Sequence, residues 1–219
     1  DMMREAFYLM REGKPGPVLI DFPLDVQMGE LEFEIDSYEP KGISKAMPDP
    51  EKIGKAIEML SEAETPVIIM GGGVRLAEAE EALIHFAEEY QIPVITTYMA
   101  KGGIPENHPL NAGHAGIQVG QPIGNKYLLE SDVVLGIGCR FSDRHTGDLK
   151  VYRGDRKFIH IDICETQIGK VFEPDLGIVS DAAEAIKQLE EAARTKKLKN
   201  FSCGCSSDIT GRNGKKDGL

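Results

Sequence analysis

Long apolar runs are missing from this chain. No stretch of its 219 residues approaches the roughly 20 apolar positions needed to cross a bilayer, so no membrane partner is expected. The opening DMMREAFYLMREG is charged and helix-like, the wrong composition for a signal peptide. Position 1 is Asp rather than Met, so the sequence reads as a piece of a longer chain. Basic residues are in deficit: 25 Lys and Arg stand against 36 Asp and Glu, a formal net charge of −11. That argues against nucleic acid as a bulk electrostatic partner, while a local cationic pocket for an anion stays open. Cysteine is sparse, and four in a chain of this size do not make a disulfide framework. Cys139 and Cys164 sit in or beside apolar strands and read as small buried groups. Cys203 and Cys205 form a CxC pair that no His or further Cys cluster completes into a metal site. The cytoplasm is the expected compartment. A GxGxxG fingerprint is also missing, which weakens a dehydrogenase reading. No nucleophile–base pair or paired carboxylates emerge from the spacing.

What is present is an ordinary globular composition, 41% hydrophobic and 28% charged. Ala6, Phe7 and Met10 form a short amphipathic stretch, closed by the turn residues Gly13-Lys14-Pro15-Gly16-Pro17. Residues 18–22 read as a short apolar strand, and an acidic, proline-bearing connector follows. A second unit then begins at Asp49, a good N-cap, with Pro50 at the first helical position. Ile53, Ala56, Ile57, Leu60 and Ala63 keep helical spacing. Strands are expected at 66–70, 93–97, 133–137, 158–163 and 176–179. Between them run a helix with Leu76, Ala79, Leu83, Phe86, Ala87 and Tyr90 on one face and another at 123–130. His85 falls opposite that first face, toward solvent, and a loop rich in Gly, Pro and His covers 102–120. Asp181, with Glu184 three residues on, caps a last helix whose buried stripe is Ala182, Ala185, Ile186 and Leu189. Residues 198–219 lack apolar period and read as a disordered tail.

Short apolar strands alternating with amphipathic helices specify an α/β fold: a doubly wound, mostly parallel sheet with helices on both faces. Right-handed crossovers make it Rossmann-like. Ligands of such sheets sit at the carboxyl ends of the strands, which is where Gly71, Gly72, Gly73, Thr97, Gly138, Arg140 and Asp162 fall. The three glycines join a strand to a helix, either for close approach of a phosphate or as a tight turn. Arg140 and Arg144 are placed to clamp a pyrophosphate or to salt-bridge on the surface. Asp162 either accepts from a ribose hydroxyl or caps a next helix at 165–169. His114 and His145 lie near the same edge and read as packing or hydrogen-bonding residues before acid–base catalysts. His160 alternates with Ile159 and Ile161 as a strand histidine. The residues alone specify a nucleotide-binding domain without visible chemistry.

The stretches KPGPVLIDFPLDVQ, PVIIMGGGV, PVITTYMAKGGIPENHPL, GIGCRFSDRHTG and KFIHIDICETQIGK resemble the central domain of thiamine-diphosphate-dependent enzymes of the acetolactate synthase type. The likeness runs from about residue 4 to about residue 191. Within that family the chain is most similar to the glyoxylate carboligase branch, through LEFEIDSYEP, GNKYLLESD, RHTG and TQIGKVFEPDLGIVSDA. Leu24 supports that branch, since acetolactate synthases usually carry lysine there. The resemblance implies that 1–29 end a pyrimidine-binding domain, 30–48 are a linker and 49–197 are a central FAD-binding-type domain. It implies FAD contacts at Gly71, Gly72, Gly73, Thr97, Tyr98, Met99, Gly113, His114, Gly138, Arg140, Arg144, His145, Asp162, Ile163, Asp181 and Ala182. Lys14 departs from the family where many relatives have arginine, and Ser142 where acetolactate synthases have aspartate.

The reaction implied for the full-length protein is decarboxylation of glyoxylate on thiamine diphosphate and addition to a second glyoxylate, with FAD structural. The family's diphosphate and Mg2+ signature, GDG followed by a distant asparagine, is absent, and Gly154-Asp155-Arg156 is not that motif. The thiamine diphosphate and Mg2+ site is therefore expected outside this chain, which alone should be inactive. A small 2-oxo acid substrate and a homo-oligomer are implied for the full-length protein. An acetolactate synthase large subunit is the alternative within the family. A stand-alone flavin- or nucleotide-binding module is the alternative outside it.

Overall fold

Glu51 donates its amide to the Asp49 carboxylate at 2.9 Å, and a helix starts at Pro50 as the sequence specifies. The computed structural model describes residues 1–117 and 121–201. They divide into two units, Asp1–Lys45 and one that begins at Ala46. The first holds α1 (Met2–Leu9), α2 (Leu24–Gln27) and a 3-10 turn at Ile35–Ser37. Its connector folds back on α1 and the turn after it. Lys41 pairs with Glu5 at 3.1 Å, and the Ser44 hydroxyl donates to Glu12 at 2.8 Å. Residues 18–22 are not a strand, and Leu19 is almost fully exposed. A strand is stabilised by a neighbour that takes its N–H and C=O groups. Among the described residues this unit contains no second strand to do so.

The second unit alternates helix and strand. It runs α3 (Pro50–Glu62), β1 (Val67–Met70), α4 (Gly72–Leu76), α5 (Glu80–Tyr90), β2 (Val94–Thr96) and β3 (Asn111–His114). It continues with α6 (Pro122–Glu130), β4 (Val133–Ile137), α7 (Asp143–Thr146), α8 (Leu149–Arg153), β5 (Lys157–Asp162), β6 (Leu176–Val179) and α9 (Ala182–Lys196). The six strands are all parallel, in the order β3-β2-β1-β4-β5-β6. This is the doubly wound order, and the direction of progression reverses between β1 and β4. Successive residues of β1 serve opposite faces. Ile68 and Met70 join the layer with α3, α5 and α9, and Val67 and Ile69 join the layer with α6 and α8. Both faces are covered, so the strands carry unbroken apolar runs.

Four local departures have physical causes. β3 lies inside the stretch expected to be loop, because Asn-Ala-Gly-His has poor strand propensity. It is held by pairing with β2 and by the Asn111 side chain, which accepts from the Gly113 amide at 2.8 Å. The helix expected from Leu76 to Tyr90 is two helices. Glu78 adopts a φ of +53° between them, and Leu76 faces solvent. Two short helices, α7 and α8, occupy the segment between β4 and β5 where no element was expected. The expected tail is ordered at its start: Leu198 and Phe201 are buried, and the Phe201 amide donates to Tyr90 O at 2.9 Å. Residues 202–219 of that segment lie outside the described residues.

The loops after β1 and β4 touch through their backbones. A Cβ on Gly71 would stand 2.1 Å from Gly138 O, and neither peptide has a flexible end that can yield. Gly71→Ala is therefore expected to destabilise the chain by about 3 kcal/mol. Gly42→Ala, with open space around the new methyl, should stay within about 0.5 kcal/mol of wild type. Urea unfolding of both variants checks the pair.

Candidate cofactor site at the carboxyl edge of the sheet

The loops after β1 and β4 flank the crevice where the strand order reverses. The Gly71 amide donates to Ile137 O at 2.9 Å and the Gly73 amide to Gly138 O at 3.0 Å. A Cβ on Gly73 would meet Gly138 Cα at 2.7 Å, and one on Gly138 would meet Gly73 Cα at 2.6 Å. Gly138 also has a φ of +61°, open to glycine and costly for other residues. The glycines are thus required by the contact of one loop with the other, and two of the three amides in the run are already engaged. Gly72 lies against the next wall: a Cβ there would stand 3.0 Å from Met99 Cβ.

That next wall is the 3-10 turn Tyr98–Ala100 after β2. Thr97 is half-buried at its start, and Tyr98 and Met99 are exposed, offering apolar surface at the crevice. Gly113 and His114 end β3. The His114 ring Nδ1 is hydrogen-bonded to the Thr96 hydroxyl, a short contact between neighbouring strands. Its carbonyl accepts from the Gln121 amide at 2.8 Å.

Beyond β4 the chain takes an unusual path. Phe141 has a φ of +50°, a left-handed conformation that costs a bulky residue about 1–3 kcal/mol. Its buried ring occupies the space a side chain at Gly136 would need, since a Cβ there would lie 2.6 Å from Phe141 Cζ. The same ring stands edge-on to His160 at 4.8 Å and packs on Phe172 at 5.1 Å. Such contacts contribute about 0.5–1.5 kcal/mol each beyond area burial, enough to offset the strain. With Phe141 turned inward, Arg140 and residues 142–144 face solvent. Among the described residues, neither the Arg140 nor the Arg144 guanidinium has a carboxylate within ion-pair distance. Arg153 is different, bonded to Asp175 at 2.8 Å.

His145 is buried. Its Nδ1 lies 3.0 Å from Ala115 O and its Nε2 3.0 Å from the Tyr152 hydroxyl. A carbonyl only accepts, so Nδ1 carries the proton and Nε2 accepts from tyrosine. Burial pushes the imidazole pKa down to about 4, although the Ala115 carbonyl pulls the other way. His160 is likewise lowered by burial and donates to Cys139 O at 2.9 Å. Both rings are buried and hydrogen-bonded within the protein. The neighbouring Cys139 thiol is pushed up to about 12 by burial and is inert at neutral pH.

The last strands supply two buried carboxylates, each engaged with backbone. Asp162 accepts from the Cys164 amide at 2.9 Å, so it caps the turn after β5 rather than a helix at 165–169, which is a 3-10 turn at Glu165–Gln167 with Cys164 at its N-cap; Ile163 is half-buried beside it. Asp181 accepts from the Ala183 and Glu184 amides at 3.0 and 3.3 Å, which makes it the N-cap of α9 ahead of the buried Ala182. The expected site residues therefore lie at strand ends, in the loops that follow or in the first turns of the helices after them, on one edge of the sheet. Sequence reasoning missed the support beneath them, Gly136, Phe141 and Tyr152. Glycine in the middle of an apolar strand was the available signal for a close approach. Tyr152 gave none.

Two features lie elsewhere. A groove of about 310 Å3 between α3 and α9 contains none of these residues. His85, Glu89 and Glu190 gather on α5 and α9, but the Arg194 guanidinium already bonds both carboxylates. His85 is exposed, as its place on the helix specifies, and pairs with Glu190 at 3.0 Å. No helix among the described residues is long and apolar enough to cross a membrane.

The His145 environment has a pH consequence. Its folded pKa lies below its unfolded value, so its contribution is complete above pH 6.5 and is lost as pH falls toward about 4. At about 1.4 kcal/mol per unit, wild type should lose roughly 2–3 kcal/mol between pH 7 and pH 4.5 from this group. His145→Asn lacks the titrating ring and should show a correspondingly flatter profile. Urea unfolding of both proteins at the two pH values measures the difference.

Comparison with known proteins agrees with this architecture. Residues 53–189 match the family model for the thiamine pyrophosphate enzyme central domain. The glyoxylate carboligase of Escherichia coli O157:H7 is 52% identical over 193 residues, covering 88% of this chain and 32% of that protein. The probable acetolactate synthase large subunit of Methanococcus aeolicus is 46% identical over 205 residues, 87% of this chain and 33% of the other. The acetolactate synthase large subunit of Corynebacterium glutamicum is 41% identical over 201 residues, 89% and 31%. The chain thus spans about a third of the length of the curated relatives it matches. A parallel sheet in doubly wound order, a glycine-lined switch point and this match over most of the second unit together place the chain in the thiamine pyrophosphate enzyme family, whose central domain it carries.

Proposed function

We propose that this chain is the middle part of a thiamine-diphosphate-dependent glyoxylate carboligase, and that FAD lies along the carboxyl edge of its sheet. The observation that carries the flavin reading is the pair of exposed guanidinia after β4, without carboxylate partners among the described residues, beside a glycine-lined switch point. Arginine forks suit a pyrophosphate, and an anion is what such a pair lacks. Arg140 and Arg144 would hold the phosphates, Asp162 would accept from ribose hydroxyls, and Tyr98 and Met99 would offer apolar surface to a planar ring. Gly72 would permit close approach. Gly71, Gly73 and Gly138 would serve by holding the two loops together. Gly113, His114, His145, Asp181 and Ala182 would shape the edge through backbone and packing, because the His145 ring and the Asp181 carboxylate are already engaged.

Glyoxylate is favoured over pyruvate as the 2-oxo acid by the 52% identity to the carboligase, against 46% and 41% for the two acetolactate synthase subunits. The overall reaction converts two glyoxylates into tartronate semialdehyde and CO2. Thiamine diphosphate, when bound, supplies the electron sink for decarboxylation. Its diphosphate and Mg2+ site is assigned outside these 219 residues, whose sequence has no GDG. In this reading FAD is structural, the chain alone is inactive, and the full-length protein is a cytoplasmic homo-oligomer. An acetolactate synthase large subunit is the second reading, supported by the same relatives at lower identity.

Titration of the purified chain with FAD, followed by quenching of flavin fluorescence, should be saturable. Arg140→Ala should raise Kd about tenfold, the loss of one charge-assisted hydrogen-bonding group. A folded chain that leaves flavin fluorescence unchanged sinks the flavin assignment. For the substrate, the full-length protein supplied with thiamine diphosphate and Mg2+ should release CO2 from glyoxylate. Preferential consumption of pyruvate would replace the carboligase reading with acetolactate synthase.

A further inference from the structure

Strands β3 and β4 are not neighbours, because β2 and β1 lie between them in the sheet. The segments that follow them nonetheless meet. The Ile117 amide donates to Arg144 O at 3.2 Å, and His145 Nδ1 donates to Ala115 O at 3.0 Å. Gly147 leaves room for the Ile117 side chain, since a Cβ there would stand 1.7 Å from Ile117 Cδ1. From the other side, the Tyr152 hydroxyl of α8 donates to His145 Nε2 at 3.0 Å. Ala115, Phe141 and Tyr152 belong to one apolar cluster, so the link is anchored in the core of that face.

We propose that His145 is a positioning residue: a neutral ring that ties the loop after β3 to the segment after β4 and so fixes the backbone that carries Arg144. Sheet hydrogen bonds cannot do this, because they do not join β3 to β4. Only one tautomer satisfies both ring partners, with the proton on Nδ1 facing a carbonyl and Nε2 facing a hydroxyl. The low imidazole pKa described above agrees with a ring that stays neutral. Tyr152 acts through His145, holding the ring plane in place. The tie goes beyond the flavin reading and requires no particular ligand in the crevice.

The test is amide hydrogen exchange by NMR on the 219-residue chain, with Ile117 as reporter and amides of β1 and β4 as internal controls. An asparagine amide reaches the place of Nδ1 and keeps the donation to Ala115, whereas glutamine reaches toward Nε2 and loses it. His145→Gln is expected to raise Ile117 exchange at least tenfold, and His145→Asn less than threefold, with the strand controls unchanged in both. Unaltered Ile117 protection in the glutamine variant overturns the proposal. So does equal loss in both variants, or loss that is uniform across the sheet, which would mark His145 as a general stability residue. Nitrogen-15 shifts of the wild-type ring decide the matter even if a variant does not fold. They should report the Nδ1-protonated tautomer, unchanged between pH 6 and 8, and a ring that titrates in that range or carries its proton on Nε2 overturns the proposal. No flavin enters either readout, so failure here and failure of the flavin assignment are separate results.

Discussion

Backbone contact between two loops is the constraint on which the candidate site depends. Gly71 and Gly73 on one side and Gly138 on the other pack without room for a methyl group, and two amides of the first loop donate to carbonyls at 137 and 138. That closeness is possible only because β1 and β4 are adjacent and parallel, with the chain leaving them in opposite directions. Everything placed at the crevice takes its position from this seam. Gly72 faces Met99 across one wall, and Arg140 follows two residues after Gly138. A side chain at any of the three seam glycines would drive the loops apart and move all of these at once.

The second organising element is a polar edge that satisfies itself internally. Asp162 and Asp181 cap turns, His160 donates to Cys139, and His145 bridges Ala115 and Tyr152. Buried polar groups that are fully bonded hold a structure rigid, whereas an unpaired one costs several kcal/mol. Against this background the exposed guanidinia of Arg140 and Arg144 differ, with no ion-pair partner among the described residues. Strain sits close to them: Phe141 holds a left-handed backbone because its ring has a place over Gly136 and among aromatic neighbours. The geometry that presents Arg140 to solvent is therefore maintained by packing on the opposite side of the same segment.

Much of the fold was legible because its signals are local. Asp49-Pro50 and Asp181 start helices through hydrogen bonds to amides only two or three residues away. The Val and Ile runs of β1, β4 and β5 are buried on both faces, and such runs stand out in sequence. The illegible parts depend on distant partners. Residues 111–114 become a strand only beside β2, and residues 18–22 stay irregular because their own unit has no described strand to pair with. Phe201 is ordered through a bond to Tyr90, which its polar surroundings in sequence do not reveal.

The sequence by itself determined the alternation of strand and helix, the edge at which glycines, arginines and acids collect, and the resemblance that the family match bears out. It could do so because propensity, capping and apolar period act over a few residues. The tertiary structure alone decided what each group does there. It made the glycines a seam between loops, turned His145 into a neutral bridge, and left two guanidinia without carboxylate partners among the described residues. Those outcomes rest on contacts across tens of residues, and no local pattern encodes which backbone will arrive on the other side.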